Sequence, residues 1–164
     1  PQFESKREIE DYVRGLGIPY SIVRPPSFMA NLEANWESAT RGVYRTAFPA
    51  DLLRHHIAPR DIGRIVSEAF DHPDGWVGRE LDIAGHFISY AGIAAAMSRQ
   101  LGRPVVYEQI PWEEYTATAT PTAIAREAWY LVNPVSVDMD ALHEEFPWLM
   151  TVEEYLIDAG WAER

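Results

Sequence analysis

The chain has 164 residues, 47% of them hydrophobic and 24% charged, the balance of an ordinary globular domain with a core of its own. Its formal charge of −11 gives a surface that repels phosphate backbones and anionic lipid, which argues against direct nucleic-acid or membrane-surface binding. The absence of cysteine excludes a disulfide framework, a zinc ribbon, a thiol nucleophile and a cysteine-based redox sensor.

In chain order, residues 5–16 read as an amphipathic helix. Ile9, Tyr12, Val13 and Leu16 fall on one stripe, Ser5 and Glu8 have capping-box spacing, and Gly15 and Gly17 supply the stop. Residues 18–23 form a short apolar run suited to a strand buried on both faces, ended by Pro25 and Pro26. After a loop over 27–30, a helix is expected over 31–40 with Asn31 as N-cap and Gly42 as stop. Residues 43–59 are irregular with two short strands, the second over 54–58. A helix follows over 61–70, capped by Asp61, then a His72-Pro73-Asp74-Gly75 turn. Residues 80–84 are a strand, 89 or 90 to 101 a helix with Gly102 as its left-handed cap, and 105–110 a strand. Alternation of strand and helix up to this point predicts an α/β fold. From Trp112 onward the pattern is helical, over 112–115, 122–131, 138–146 and 151–159, the last opening with a Thr151–Glu154 capping box and closing at Gly160. The polar opening PQFESKREIE enters a helix pattern directly, so no signal peptide is expected, and a soluble cytoplasmic protein is the expectation. The first residue is Pro1, which fits a piece of a longer protein as well as a product that has lost its initiator Met.

Few residues carry recognisable chemistry. A G-x-S-x-G nucleophile elbow is missing, and His143-Glu144-Glu145-Phe146-Pro147 lacks the second His of a zincin motif. His55 and His56 are adjacent, so on a strand they face opposite sides and cannot chelate one ion together. One packed and one solvated imidazole is the expectation, and no metal site is expected. Gly15-Leu16-Gly17 precedes its strand rather than following one, so it reads as a helix end and not as a dinucleotide fingerprint. Lys6 and Arg7 lie in the first turn of a helix, where the macrodipole disfavours cations, and composition alone reads both as solvated.

The ordered set of remaining features resembles the middle and end of the NmrA-like family, atypical extended short-chain dehydrogenase/reductases. It comprises Phe3, Ser5-Lys6, Ile9-Glu10, Gly17-Ile18-Pro19-Tyr20, Arg24-Pro25 and Phe28-Met29-Ala30-Asn31. Asp61-Ile62-Gly63, Gly78-Arg79-Glu80-Leu81, Leu101-Gly102, Phe146-Pro147-Trp148-Leu149-Met150-Thr151 and Glu153-Glu154-Tyr155-Leu156 extend it over essentially the whole chain. Family members are roughly twice this length, and their glycine-rich half precedes the segment that starts here. The resemblance therefore implies the C-terminal part of a doubly wound, Rossmann-type parallel sheet plus a small, mostly helical substrate-side subdomain. Residues 1–72 would end the Rossmann-type region and 73–164 would form the substrate-side region.

The family also implies roles. Lys6 would contact the nicotinamide ribose of NADP or NAD and assist proton transfer, and Phe28, Met29, Ala30 and Asn31 would line the nicotinamide end of the cleft. Core packing is an equal alternative for Phe28 and Met29. Reductases of the larger superfamily carry a Tyr four residues before the Lys, where this chain has Gln2. Three functions follow: an NAD(P)-dependent oxidoreductase of a small carbonyl or quinone-like substrate, a redox-sensing regulator that binds the nucleotide without turnover and acts through protein contacts, or a truncated chain without nucleotide affinity that serves as an interaction module. A half-sheet would expose a strand edge, so a homo-oligomer or protein partner is expected. The aromatics Tyr44, Phe48, Trp112, Tyr115, Trp129 and Tyr130 could line a substrate pocket, with a subdomain core as the stronger reading.

Overall fold

A computed structural model describes residues 2–163, with side chains from Glu4 onward. Its strands are short and gather into three small sheets. Ile22–Arg24 (β1) pairs in parallel with Glu80–Asp82 (β5), Ile22 opposite Glu80 and Arg24 opposite Asp82. Ser27–Phe28 (β2) runs parallel to Leu53–Ile57 (β4), whose other edge takes His86–Ser89 (β6) antiparallel. Val43–Thr46 (β3) pairs in parallel with Val106–Gln109 (β7). Parallel pairs need crossovers, which helices supply. The α/β expectation holds. The β1–β5, β4–β6 and β3–β7 pairings each join residues from the two sides of position 72.

The helices are Gln2–Gly15 (α1), Trp36–Thr40 (α2), Pro59–Asp71 (α3), Pro73–Trp76 (α4), Tyr90–Leu101 (α5), Trp112–Thr118 (α6), Pro121–Val132 (α7), Met139–Glu145 (α8) and Val152–Asp158 (α9). A 3-10 segment, Met29–Asn35, leads into α2. One apolar core surrounds α5, where Met29, Ile93, Met97, Val152, Leu156 and Trp161 are sealed from solvent. A second joins α3 to α8 through Ile57, Ile65, Ile83, Leu142 and Phe146. No described helix is long and apolar enough to cross a membrane.

Local chemistry explains the ends that match. Ser89 accepts a hydrogen bond from Gly92 N–H at the start of α5, and Gly102 closes that helix at φ 62°. Thr151 and Glu154 form the reciprocal capping box of α9.

Several expectations are corrected. α1 already begins at Gln2, so Ser5 lies inside it and is no N-cap. Asn31 does not cap a helix either, because the chain tightens into the 3-10 segment two residues earlier. α3 starts at Pro59, which suits a first helical position because it has no N–H to satisfy. Asp61 is buried in the first turn, and its carboxylate accepts the Met150 N–H at 2.8 Å, tying the C-terminal loop to α3. The expected turn over 72–75 is instead a short helix at 73–76. The expected strand over 18–23 shrinks to Ile22–Arg24 and is half-buried.

α1 is fixed to the β1–β5 pair by charge. Arg24 donates to both Glu10 oxygens at 2.8 and 2.7 Å and also to Glu80. Arg14 adds two bonds to Glu80, at 2.7 and 2.6 Å. These pairs hold the Glu80 carboxyl down at about 2, chiefly through the Arg14 bonds and then those of Arg24.

Candidate functional site

Side chains two apart on a strand share a face, so β4 turns Arg54 and His56 together into a cavity of about 550 Å³. The β2 end and the 3-10 segment supply one wall, β3 another, and α6 and α7 the far side. Six Phe and Tyr side chains line it beside charged and polar ones such as Arg54, Arg126 and Glu127. Phe48 stacks on Tyr90 with centroids 5.0 Å apart, and Tyr44 and Tyr130 lie on the same cavity.

Arg54 is held in a fixed pose. Its guanidinium sits 3.8 Å from the Tyr130 ring centroid and 4.7 Å from that of Phe48, and Nη1 donates to the Tyr90 hydroxyl at 3.0 Å. Burial raises the Tyr90 hydroxyl well above the usual phenol range, and burial does the same to Tyr44. Neither is a ready proton donor at neutral pH.

Two buried residues that border this cavity carry side-chain atoms without a hydrogen-bond partner. Glu127 of α7 is 9% exposed. Its Oε1 accepts from Arg126 Nε and Nη2 at 3.0 and 2.6 Å, whereas Oε2 accepts no hydrogen bond and is ion-paired with Arg54 Nη1 at 3.7 Å. His56 is 3% exposed, and neither ring nitrogen has a partner. Burial, reinforced by Arg54, lowers its pKa to about 3, so the imidazole is neutral at physiological pH.

The neighbouring His55 points to the other side of the sheet, as adjacency on a strand requires. It is not solvated: it is 7% exposed and stacks on Phe87 at 4.3 Å. That ring and the chain after α7 cover the face that the sequence leaves open. His55 borders a second cavity of about 580 Å³, lined also by Trp129, Leu131 and Val135. Among the described residues, no group of three or more His, Asp or Glu is placed to hold a metal.

Of the residues singled out for a nucleotide, Phe28 and Asn31 border the first cavity and are exposed. Met29 is fully buried in the α5 core. Ala30 is half-buried and borders neither cavity, and Lys6 is exposed on α1 and borders neither. The side chains of Gln2 and Phe3 lie outside the described residues. Sequence reasoning missed Arg54, Tyr90, His56 and Glu127 as cavity residues. Glu127 carried a readable signal, because a carboxylate three residues from both Ile124 and Tyr130 sits on the apolar stripe of its helix.

The sequence model of the NmrA-like family matches residues 1–156. A (4-alkanoyl-5-oxo-2,5-dihydrofuran-3-yl)methyl phosphate reductase of Streptomyces griseus is 33% identical over 108 residues, 64% of this chain and 37% of that protein. The nitrogen metabolite repression protein nmrA of Emericella nidulans is 29% identical over 121 residues, 68% of this chain and 34% of that one. Among solved structures, an NADPH-dependent quinone oxidoreductase of Escherichia coli superposes with a TM-score of 0.73 at 17% identity, covering 95% of this chain and 60% of the other. That likeness shows the Rossmann-type fold. The chain thus spans about a third of the length of these curated relatives.

Proposed function

The chain belongs to the NmrA-like family, and from that premise we propose that it is the substrate-side part of an NAD(P)-dependent oxidoreductase acting on a small carbonyl or quinone-like compound. The observation that carries this reading is the position of the segment after β1, which runs through β2 into the 3-10 helix. Ligands of open α/β sheets sit beyond the carboxyl ends of strands. The chain leaves such an end, and Phe28 at the carboxyl end of β2 and Asn31 in the 3-10 segment after it border an open cavity of mixed aromatic and polar lining. The exposed pair fits the nicotinamide end of a dinucleotide. A glycine-rich strand-to-helix turn for the pyrophosphate is not found among the described residues, so that anchor would come from the length of the relatives that this chain does not span. When bound, the nucleotide would supply the hydride. Lys6 would donate to the ribose hydroxyls and hold a proton near the reacting oxygen.

The test is nucleotide titration and turnover with the complete gene product. We expect saturable NADPH oxidation with quinones or aromatic ketones, and Lys6→Ala to weaken nucleotide binding about tenfold through loss of charge-assisted bonds. Unchanged affinity in Lys6→Ala would return Lys6 to the solvated surface.

A second reading, a nucleotide-binding regulator without turnover, is favoured by Gln2 at the superfamily's Tyr position and by the repression protein among the relatives. Tight nucleotide binding with no turnover of any acceptor would select it. Either form would use the exposed apolar side of α1 against another copy or another protein.

A further inference from the structure

Two guanidiniums on the first cavity share one carboxylate. Arg54, Arg126 and Glu127 all line it; Glu127 Oε1 accepts from the Arg126 fork, and Oε2 is ion-paired with Arg54 Nη1 at 3.7 Å. Among the described residues neither cation has a second ion-pair partner. The trio therefore carries one positive charge in excess, in a chain whose formal charge is −11. The remaining charged residue of the lining, Arg45, is matched by Glu108 and Glu114 at 3.5 and 3.3 Å. Arg54 cannot leave its share of the excess to bulk water, because its side chain is 12% exposed. A buried charge without a full counter-charge is costly, and a guanidinium cannot shed its proton to escape that cost.

The packing of Arg54 leaves one edge of it open. The Tyr130 and Phe48 rings lie against the guanidinium, and Nη1 is taken by the Tyr90 hydroxyl and the Glu127 carboxylate. Nε and Nη2 donate to no described residue, and neither is sealed in as Glu127 Oε2 is. These two N–H groups point the same way from one edge of the planar group, at the spacing of two oxygens of a carboxylate or a phosphate. Arg54 borders both cavities, so the edge opens on space that a ligand would fill. Resting on the reading of the first cavity as the substrate site, we propose that the substrate is an anion, a carbonyl compound bearing a carboxylate or a phosphate, with two oxygens held by the Nε–Nη2 edge of Arg54. Arg126 assists from behind, because its two short bonds draw Glu127 away and leave Arg54 incompletely neutralised.

The test uses the complete gene product and three ligands on one carbonyl scaffold: 4-acetylbenzoate, 4-acetylphenyl phosphate and the neutral ester methyl 4-acetylbenzoate, each titrated by calorimetry. At least one anion is expected to bind about tenfold or more tighter than the ester, through charge-assisted bonds, and the tighter of the two identifies the oxyanion. Arg54→Lys keeps the charge but loses the paired donors, so it should erase most of that preference and leave the ester unchanged. Thermal melting accompanies this variant, because Arg54 packs against two rings. Where it melts early, two other substitutions carry the test, and their effects have opposite signs that a merely structural role would not produce. Arg126→Gln removes the surplus charge and weakens the anions severalfold; Glu127→Gln keeps the shape, raises the surplus and tightens them. Equal affinities for anions and ester, binding of none of the three, an anion preference that survives Arg54→Lys in a folded protein, or shifts of the same sign in Arg126→Gln and Glu127→Gln would each overturn the proposal. An anion preference that follows these substitutions in a protein that oxidises no NADPH would instead overturn the reductase reading and leave the anion site standing.

Discussion

Helices α1 and α9 are both amphipathic, yet they meet opposite fates. In α9, Val152 and Leu156 are fully buried against α5, and Trp161 just beyond it is sealed from solvent. Its Nε1 donates to Glu33 at 2.8 Å, and its ring meets Trp36 edge-on at 5.1 Å. In α1 the corresponding stripe faces water: Ile9 is 58% exposed and Tyr12 70%. What fastens α1 is the cluster of Arg14, Arg24, Glu10 and Glu80. Periodicity in a sequence says that a helix has an apolar face; only the tertiary arrangement says whether this chain covers it. One end of the molecule is therefore held by packing and the other by charge, and the two should fail under different insults.

The largest effect belongs to the packed end. Trp161→Ala removes a fully buried ring together with its hydrogen bond, and aromatic-to-alanine changes of this kind cost about 3–5 kcal/mol. For a chain of this size, that lowers the melting temperature by roughly 10 °C. Urea unfolding of the parent and the variant measures the difference. A loss below about 1 kcal/mol would mean that the C-terminal segment adds little to the core.

Acid sharpens the contrast. His56 is neutral in the folded chain, and its folded pKa of about 3 lies below the ordinary 6.5. An unfolded chain therefore binds the extra proton first. The stability that His56 contributes is complete above 6.5 and is lost as pH falls from there toward about 3. His56→Leu should flatten this limb of a stability-versus-pH curve. A limb unchanged by the substitution would place its origin elsewhere, His55 and His86 being lowered by burial in the same direction.

The charge-held end responds later in the same titration. Glu80 is lowered from 4.5 to about 2 and Glu10 is lowered as well, so the attachment of α1 is intact above 4.5 and weakens as pH falls below it. Hydrogen exchange should show the α1 amides opening in this window while those of α5 stay protected. Arg14→Ala should move the opening of α1 toward higher pH, and high salt should do the same by screening an exposed cluster. Simultaneous exchange in α1 and α5 would show that the two ends unfold as one unit.

What the sequence revealed follows the same division between local and distant causes. The Thr151–Glu154 capping box was legible because every atom of it lies within four residues. Ser5 and Glu8 have the same spacing, but α1 begins at Gln2, and spacing alone does not reveal that the preceding residues are helical. Asp61 reads as a cap by its position. Its partner is instead the Met150 amide, 89 positions away. β6 went unread because His86–Ser89 is short and is defined by pairing with β4. Phe28 and Asn31 were placed at a cleft through an expected loop over 27–30, which is instead strand β2 followed by the 3-10 segment, yet both residues border the first cavity. Arg54, His56, Tyr90 and Glu127 come from three distant elements, and only folding brings them to one cavity. Adjacency put His55 and His56 on opposite faces correctly. It could not show that both faces are covered.

The smallest stability effect is expected where the apolar stripe is bare. Ile9→Ser and Tyr12→Ser remove side chains that already contact water, so neither should change unfolding stability by more than about 0.5 kcal/mol, singly or together. The same changes on α9 would be severe, which makes the pair a direct test of whether the two helices differ as described. If the stripe meets another chain, as proposed, the substitutions act on association instead. Burial of an Ile or Tyr side chain at an interface contributes on the order of 1.5–3 kcal/mol, enough to weaken a dimer by tenfold or more. Light scattering across a dilution series would then show the parent chain associating and the double variant remaining monomeric at equal concentration, with superimposable melting curves once both are dilute. A clear loss of monomer stability in the double variant would contradict the comparison at its root, because it would show that α1 is held by its apolar face after all.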